Sequence, residues 1–336
     1  MHEAILWEPA GEGRVRCALC AHRCLIPPGG RGMCGVRENR DGTFYSLVYG
    51  RLVSQSLDPI EKKPLYHFLP GSLALSIAAA GCNFRCNFCQ NHVISQYPRE
   101  HRGGIPGEPV SAEDVVRAAK GTGAPAIAYT YTEPTVFFEI CRDAGRLARV
   151  RGVRNVFVTN GYMTGEALDE ARGWLDAANV DLKAFSDEFY HRYCGGSLQP
   201  VLDSIKRMTE LGMWVEVTTL VIPGRNDSEK ELGWIAEFLT GVSPDLPWHV
   251  SRFVPSYLVH DLPPTPVLAL RRAREIGREA GLRYVYLGNV PGEGEDTVCP
   301  SCGQTVIRRR GFRVVENRIT DGGCPGCGNP IAGVWS

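Results

Sequence analysis

Gly81-Cys82-Asn83-Phe84-Arg85-Cys86-Asn87-Phe88-Cys89 sets three cysteines at C-x3-C-x2-C, directly after the apolar run Leu73-Ala74-Leu75-Ser76-Ile77-Ala78-Ala79-Ala80. Thiolates at Cys82, Cys86 and Cys89 can hold three irons of a [4Fe–4S] cube and leave the fourth iron without a protein ligand. A purely structural cluster normally closes with a fourth cysteine, so the open iron points to a second molecule chelated there. The aromatic Phe88 stands just before the third cysteine. The competing assignment is zinc or a closed cluster borrowing a remote ligand. It fits less well, because zinc sites usually come as paired C-x2-C knuckles.

Outward from this loop, apolar strands alternate with amphipathic helices from Ser72 onward. Strands are expected at Leu73–Ala80, Ala126–Thr130, Asn155–Thr159, Asn179–Leu182, Trp214–Val221, Trp248–Phe253 and Tyr284–Leu287. Ser111 and Thr164 each precede a helical run with carboxylates in its first turn, which marks helix starts. This alternation predicts parallel strands joined by right-handed crossovers. Polar groups follow the strands: Tyr131-Thr132-Glu133-Pro134, Thr159-Asn160-Gly161-Tyr162, Asp181-Leu182-Lys183, Pro223–Asp227 and Arg252. Barrel active sites gather at the carboxyl ends of strands, so the expected class is α/β, a partial (β/α)6 barrel.

Two more cysteine sets flank this region. Cys299-Pro300-Ser301-Cys302-Gly303 and Cys324-Pro325-Gly326-Cys327-Gly328 are twin knuckles, with a hairpin predicted around Arg310-Gly311. Four thiolates in this pattern read as a zinc ribbon, a tail too short to fold without its metal. Arg308-Arg309-Arg310 lies on the hairpin, where alternation puts its side chains on opposite faces, which argues against a nucleic-acid surface. Near the N-terminus, Cys17, Cys20, Cys24 and Cys34 follow C-x2-C-x3-C-x9-C, with His22 as a spare ligand. They suit structural zinc or an auxiliary iron–sulfur cluster, and zinc is preferred here. The expected organisation is a Cys-rich lobe over 1–70, the barrel over 71–290 and the ribbon over 291–336.

The 336 residues include 13 cysteines, 11 of them in the three clusters. Lys+Arg and Asp+Glu are both 37, so no global charge argues for nucleic acid or an anionic membrane. No apolar run approaches the about 18 residues of a membrane span, and no signal peptide is read at the N-terminus. A cytoplasmic protein is expected, and in a reducing compartment clustered cysteines are metal ligands. Of the two isolated cysteines, Cys141 reads as packed in a helix, and Cys194 as packed or as a reactive thiol. His67, in the connector Asp58–Pro70, reads as a packed histidine.

Strand, three-cysteine loop and preceding aromatic resemble the radical S-adenosylmethionine (radical SAM) superfamily. With Cys17 through Arg37, the connector, Tyr-Thr-Glu-Pro, Thr-Asn-Gly-Tyr, Asp-Leu-Lys and the terminal ribbon, the chain resembles the AmmeMemoRadiSam system radical SAM enzymes, relatives of pyruvate formate-lyase activating enzymes. The resemblance implies S-adenosylmethionine on the unique iron, cleaved by one electron to methionine and a 5′-deoxyadenosyl radical that abstracts hydrogen from a substrate. It implies a flavodoxin- or ferredoxin-type electron donor, and AMMECR- and Memo-type proteins or a glycyl radical enzyme as partners. Cofactor contacts then fall to Phe88, Thr132, Glu133, Asn160, Asp181, Lys183 and Arg252. In particular, Lys183 faces the carboxylate, Asn160 the ribose, and Arg252 the carboxylate, the substrate or a structural clamp. The family's Gly-Gly-Glu is replaced here by Tyr131-Thr132-Glu133. An electron-transfer or scaffold protein that never cleaves the cofactor is the non-enzymatic alternative.

Overall fold

The computed structural model describes residues 2–336. Its centre is an eight-stranded sheet of β1 (Ser54–Pro59), β2 (Leu73–Ala78), β3 (Ala126–Tyr129), β4 (Arg154–Thr159), β5 (Ala177–Asp181), β6 (Trp214–Val221), β7 (Trp248–Arg252) and β8 (Val285–Gly288). The strands lie in chain order across the sheet. β2 to β8 are parallel, and β1 pairs antiparallel with β2. Six helices alternate with the parallel strands: α1 (Ala112–Thr122), α2 (Phe138–Val150), α3 (Gly165–Ala171), α4 (Gln199–Glu210), α5 (Glu229–Val242) and α6 (Val267–Glu279). All seven expected strands form. The six strand–helix units are followed by a seventh parallel strand, and β1 and β8 remain the two edges of the sheet.

Local chemistry sets these boundaries. Ser111 and Asp114 form a reciprocal capping box at the start of α1, which ends at Gly123 in the left-handed conformation. The Thr164 hydroxyl caps α3 by accepting from the Ala167 amide. Most of β2 to β5 is buried on both faces, as parallel strands covered by helices require. One face carries small side chains, Ala74, Ala126, Ala128, Val156 and Ala177, packed against Ile60, Leu65 and Phe68 of the connector. The connector therefore fills the space these small residues leave. It is fixed there by Glu216 of β6, whose carboxylate accepts from the amides of Tyr66 (3.0 Å) and His67 (2.8 Å).

The N-terminal segment forms two small antiparallel sheets, and its apolar residues, including Val15, Leu19, Val36 and Phe44, belong to the same core as the main sheet. The C-terminal segment has a core of its own, built from Tyr66, Tyr284, Tyr286, Val306, Ile307 and Ile331. Its strands β9 (Thr297–Val298), β10 (Thr305–Arg310) and β11 (Arg313–Asn317) form an antiparallel sheet containing the expected hairpin. Arg309 is buried while Arg308 and Arg310 are exposed. The buried guanidinium stacks 4.3 Å from the Tyr66 ring centroid and donates to the Tyr66 carbonyl at 2.7 Å, docking the ribbon on the connector.

Candidate functional site

Parallel strands put every loop after β2 to β8 at the same edge, and a cavity of about 500 Å³ opens there. Cys82, Cys86, Phe88 and Cys89 line it with Thr132, Glu133, Asn160, Asp181 and Lys183. Residues chosen from four separate stretches of sequence thus meet at one place. Arg252 is not among the lining residues; its Nε donates to the Thr265 carbonyl at 2.9 Å, which makes it a clamp between loops.

The cysteine loop is shaped by close backbone packing. Gly81 has φ +99°, and a Cβ there would come within 2.7 Å of a Val36 methyl. The Phe84 amide donates to Cys82 Sγ at 3.3 Å, and Ser95 Oγ lies 3.4 Å from Cys89 Sγ. Burial pushes the Cys82 and Cys89 thiols up, whereas at Cys86 a contact with Cys194 leads and burial adds to it. Cys194 is buried behind the loop in the π-helical turn Tyr190–Cys194, so it packs rather than presents a thiol to solvent. Cys141 is buried in α2, as expected.

Lys183 Nζ pairs with Asp181 at 2.9 Å and lies 6.0 Å from the Phe88 ring centroid. Burial favours its neutral form, but Asp181, Cys86 and Cys194 together outweigh burial and hold the amine well above its ordinary range. Asn226, from the loop after β6, holds the Lys183 carbonyl at 2.6 Å. Glu133 is 1% exposed and accepts from Thr135 N (3.0 Å), Thr159 Oγ1 (2.7 Å) and Asn160 N (2.8 Å), so it ties the loops after β3 and β4 together. Asn160 Nδ2 donates to Asn83 Oδ1 at 2.7 Å, which commits it to the cysteine loop. Thr132 Oγ1 donates to the Ala79 carbonyl at 2.7 Å.

Tyr131 takes φ +63°, the left-handed conformation that favours glycine. Its hydroxyl bonds to Asp58, and its carbonyl accepts from Asn91 Nδ2 at 2.7 Å. A tyrosine thus occupies a glycine-like turn, held by partners on both sides.

Two polar groups in the cavity escaped the sequence reading. Lys63 is 1% exposed and donates to Asp58 at 2.8 Å. Burial pushes the Asp58 carboxyl up, but hydrogen bonds from Lys62, Lys63 and Tyr131 outweigh it and hold the group well below its usual range. Burial lowers Lys63. Deeper in, His249 Nε2 meets Glu216 at 2.7 Å, and burial at Glu216 is outweighed by His249, His67 and Trp214 together, leaving the carboxyl low. His67 does not line the cavity; it is fully buried between the Ala332 carbonyl (2.6 Å) and Tyr286 OH (2.5 Å), a packed histidine as read.

The outer cysteine sets differ in geometry. Cys299 and Cys327 are 3.7 Å apart at sulfur, as are Cys302 and Cys324, and all four sulfurs lie within 4.8 Å of one another. Gly303 and Gly328, both at positive φ, close the two knuckles by donating to the Cys299 and Cys324 carbonyls. Among the described residues no other three cysteines reach that mutual distance, which includes Cys17, Cys20, Cys24 and Cys34. Four sulfurs around one ion must lie close together, and the N-terminal set is spaced more widely than the C-terminal one. No helix among the described residues is long and apolar enough to cross a membrane.

Residues 76–233 match the family described as the radical SAM superfamily. An uncharacterised protein of Methanocaldococcus jannaschii is 43% identical over 335 residues, covering 98% of this chain and 99% of that protein. A second protein of that organism, named for glycyl-radical enzyme activation, is 28% identical over 54% of this chain and 67% of its own length. A GTP 3′,8-cyclase of Listeria monocytogenes is 26% identical over 63% of each. Among solved structures, SuiB of Streptococcus suis bound to S-adenosylmethionine aligns with TM-score 0.51 at 13% identity, covering 68% of this chain and 53% of that one. A radical SAM methyltransferase of Sphaerobacter thermophilus gives 0.50 at 18% identity over 70% and 71%. These two likenesses concern the fold.

Proposed function

The chain belongs to the radical SAM superfamily, and we propose that it is an enzyme using a [4Fe–4S] cluster on Cys82, Cys86 and Cys89 and S-adenosylmethionine to abstract hydrogen from a small-molecule substrate. One observation carries this reading: the three cysteines and the Asp181–Lys183 pair line a single cavity at the carboxyl edge of the parallel strands. When bound, a reduced cluster on these cysteines would give one electron to S-adenosylmethionine, releasing methionine and supplying a 5′-deoxyadenosyl radical, with an external donor restoring the cluster.

The chain's own residues bind and orient. Lys183, kept charged by Asp181, receives the cofactor carboxylate, and Phe88 flanks it. The Tyr131–Thr132 backbone, in its glycine-like turn, meets the ammonium. Glu133 and Asn160 act as positioning residues, holding the loops after β3 and β4 against the cysteine loop. His249, backed by Glu216, and the Lys63–Asp58 pair face the substrate. A cavity of about 500 Å³ lies within the range of small-molecule sites. The sheet with its connector serves as the partial barrel, and the C-terminal cysteines hold zinc, for which the 3.7 Å sulfur separations are suited. Sequence resemblance favours the AmmeMemoRadiSam type, with AMMECR- and Memo-type partners.

A second reading is activation of a glycyl radical enzyme, favoured by the relative named for that activity. It requires a protein loop to enter the cavity.

The test is anaerobic. Reconstituted and reduced protein given S-adenosylmethionine is expected to form 5′-deoxyadenosine, detected by mass spectrometry, and Cys86→Ala is expected to form none. Wild-type protein with a full cluster and no nucleoside overturns the reading. Binding of a glycyl radical enzyme, with radical formation on its glycine, replaces the small-molecule substrate by the second reading.

A further inference from the structure

We propose that Cys17, Cys20, Cys24 and Cys34 hold a second iron–sulfur cluster, of the [4Fe–4S] type, in place of zinc. The proposal rests on these residues alone and stands whether or not the cavity at Cys82 carries out the chemistry assigned to it.

Sulfur spacing is the first observation. Four thiolates around zinc at about 2.3 Å lie about 3.8 Å from one another, and the C-terminal set comes close to this at 3.7 Å. The N-terminal set brings no three sulfurs mutually within 4.8 Å, and neither do Cys82, Cys86 and Cys89. Thiolates of a cubane bind separate irons, so their sulfurs stand further apart than those around a single ion. By this measure the N-terminal cysteines group with the cluster loop and not with the ribbon.

The space between the sulfurs is the second. The four cysteines line one cavity with Leu19, Ile26, Met33, Phe44 and Val136, an apolar surround in which thiolate ligation is well shielded. Gly32 faces it: a Cβ there would lie 3.8 Å from both Cys24 Sγ and Cys34 Sγ. A side chain at this position would fill the gap between two sulfurs. The Met33 amide already donates to Cys24 Sγ at 3.5 Å, the kind of backbone donor that supports a ligating thiolate.

The third observation is an unpartnered donor. Arg37 lines the same cavity and is 2% exposed. Its Nη2 bonds to Glu139 (2.7 Å) and the Ile5 carbonyl (2.9 Å), while its Nε has no partner. A buried guanidinium N–H without an acceptor is costly, and a cluster with four thiolates supplies both negative charge and sulfur acceptors beside it. The site also adjoins the cysteine loop. Arg99 donates to the carbonyls of Met33 and Cys82, and His22 contacts the Asn83 carbonyl at 2.8 Å. His22 is thereby engaged away from the metal, leaving four thiolates as the ligand set.

The experiment measures iron, acid-labile sulfide and zinc in full-length protein prepared anaerobically and reconstituted with iron and sulfide. In a variant carrying Cys82→Ala, Cys86→Ala and Cys89→Ala, about four iron and four sulfide per chain are expected to remain, with about one zinc. On reduction this variant should show a paramagnetic cluster signal that does not respond to S-adenosylmethionine. Adding Cys20→Ser and Cys24→Ser should remove the iron and leave the zinc. If the triple variant fails to fold, wild-type protein decides: about eight iron and one zinc support the proposal. Iron at background in the triple variant with zinc at about two, or wild-type protein holding iron for one cluster only, overturns it.

Discussion

The N-terminal and C-terminal groups each hold four cysteines, yet the first lies inside the main core and the second in a small core beside it. Cys17 and Cys34 pack with Val15, Val36 and Phe44 in the apolar cluster that also contains the sheet residues. A fully buried ion pair, Arg37–Glu139 at 2.7 Å, ties that lobe to α2. The ribbon is joined differently. Its contacts run through Arg309, Tyr66 and the backbone pairing of Val334 with His67 and Leu69. A segment built into the core needs no metal to find its place, whereas the zinc proposed for the C-terminal cysteines would hold together a segment of some forty residues with few apolar side chains.

Stripping the zinc proposed for the ribbon is the most severe way to test this contrast. Removal is expected to cost the ribbon on the order of 10 kcal/mol of folding free energy. In hydrogen exchange, amides over 297–335 and Leu69 should lose protection while β3 and β4 keep theirs. Equal loss in β3 would show that the ribbon has no separate stability. On the other side of the molecule, Glu139→Ala leaves Arg37 buried without its partner and should destabilise the fold by about 3–5 kcal/mol in denaturant titration. A change under 1 kcal/mol would mean the lobe is held by apolar packing alone.

Acidification separates the two regions further. Burial lowers His67 to about 4, against 6.5 when unfolded. In that window the unfolded chain binds a proton that the folded chain refuses, so stability falls as pH drops from about 6.5 to 4 and is flat above. The loss attributable to this group is on the order of 3 kcal/mol. It should appear first as exchange in the connector and ribbon, and a pH-independent midpoint would contradict the neutral, buried ring. The smallest effect is a control: Ser111→Ala, whose side chain bonds to Asp114 in the capping box of α1, should cost about 1 kcal/mol through the lost cap. Iron and zinc contents are expected to stay unchanged in that variant.

Features with a short sequence range were legible. The seven strands, the caps at Ser111 and Thr164, the ribbon hairpin and the opposite faces of Arg308 and Arg309 follow from local periodicity and hydroxyl placement. The cysteine loop and the Asp181–Lys183 pair were also readable. What escaped were groups made by distant partners. Glu216 and His249 lie 33 residues apart, Asp58 and Tyr131 73, and Arg37 and Glu139 102, with no motif linking them. Asn160 and Arg252 were placed on the right loops, but their bonding partners, Asn83 and Thr265, depend on how those loops pack.

The sequence by itself therefore determined the alternation of strand and helix, the edge of the sheet where the loops converge, and the grouping of eleven cysteines into three sets, because each depends on residue type and spacing within a few turns of chain. Only the tertiary structure decided how far apart the sulfurs stand, that the connector fills the inner face of the sheet, and that Arg37 keeps one buried donor free. Those quantities are set by packing between segments remote in the chain, where sub-ångström fit and burial, and not local preference, fix the outcome.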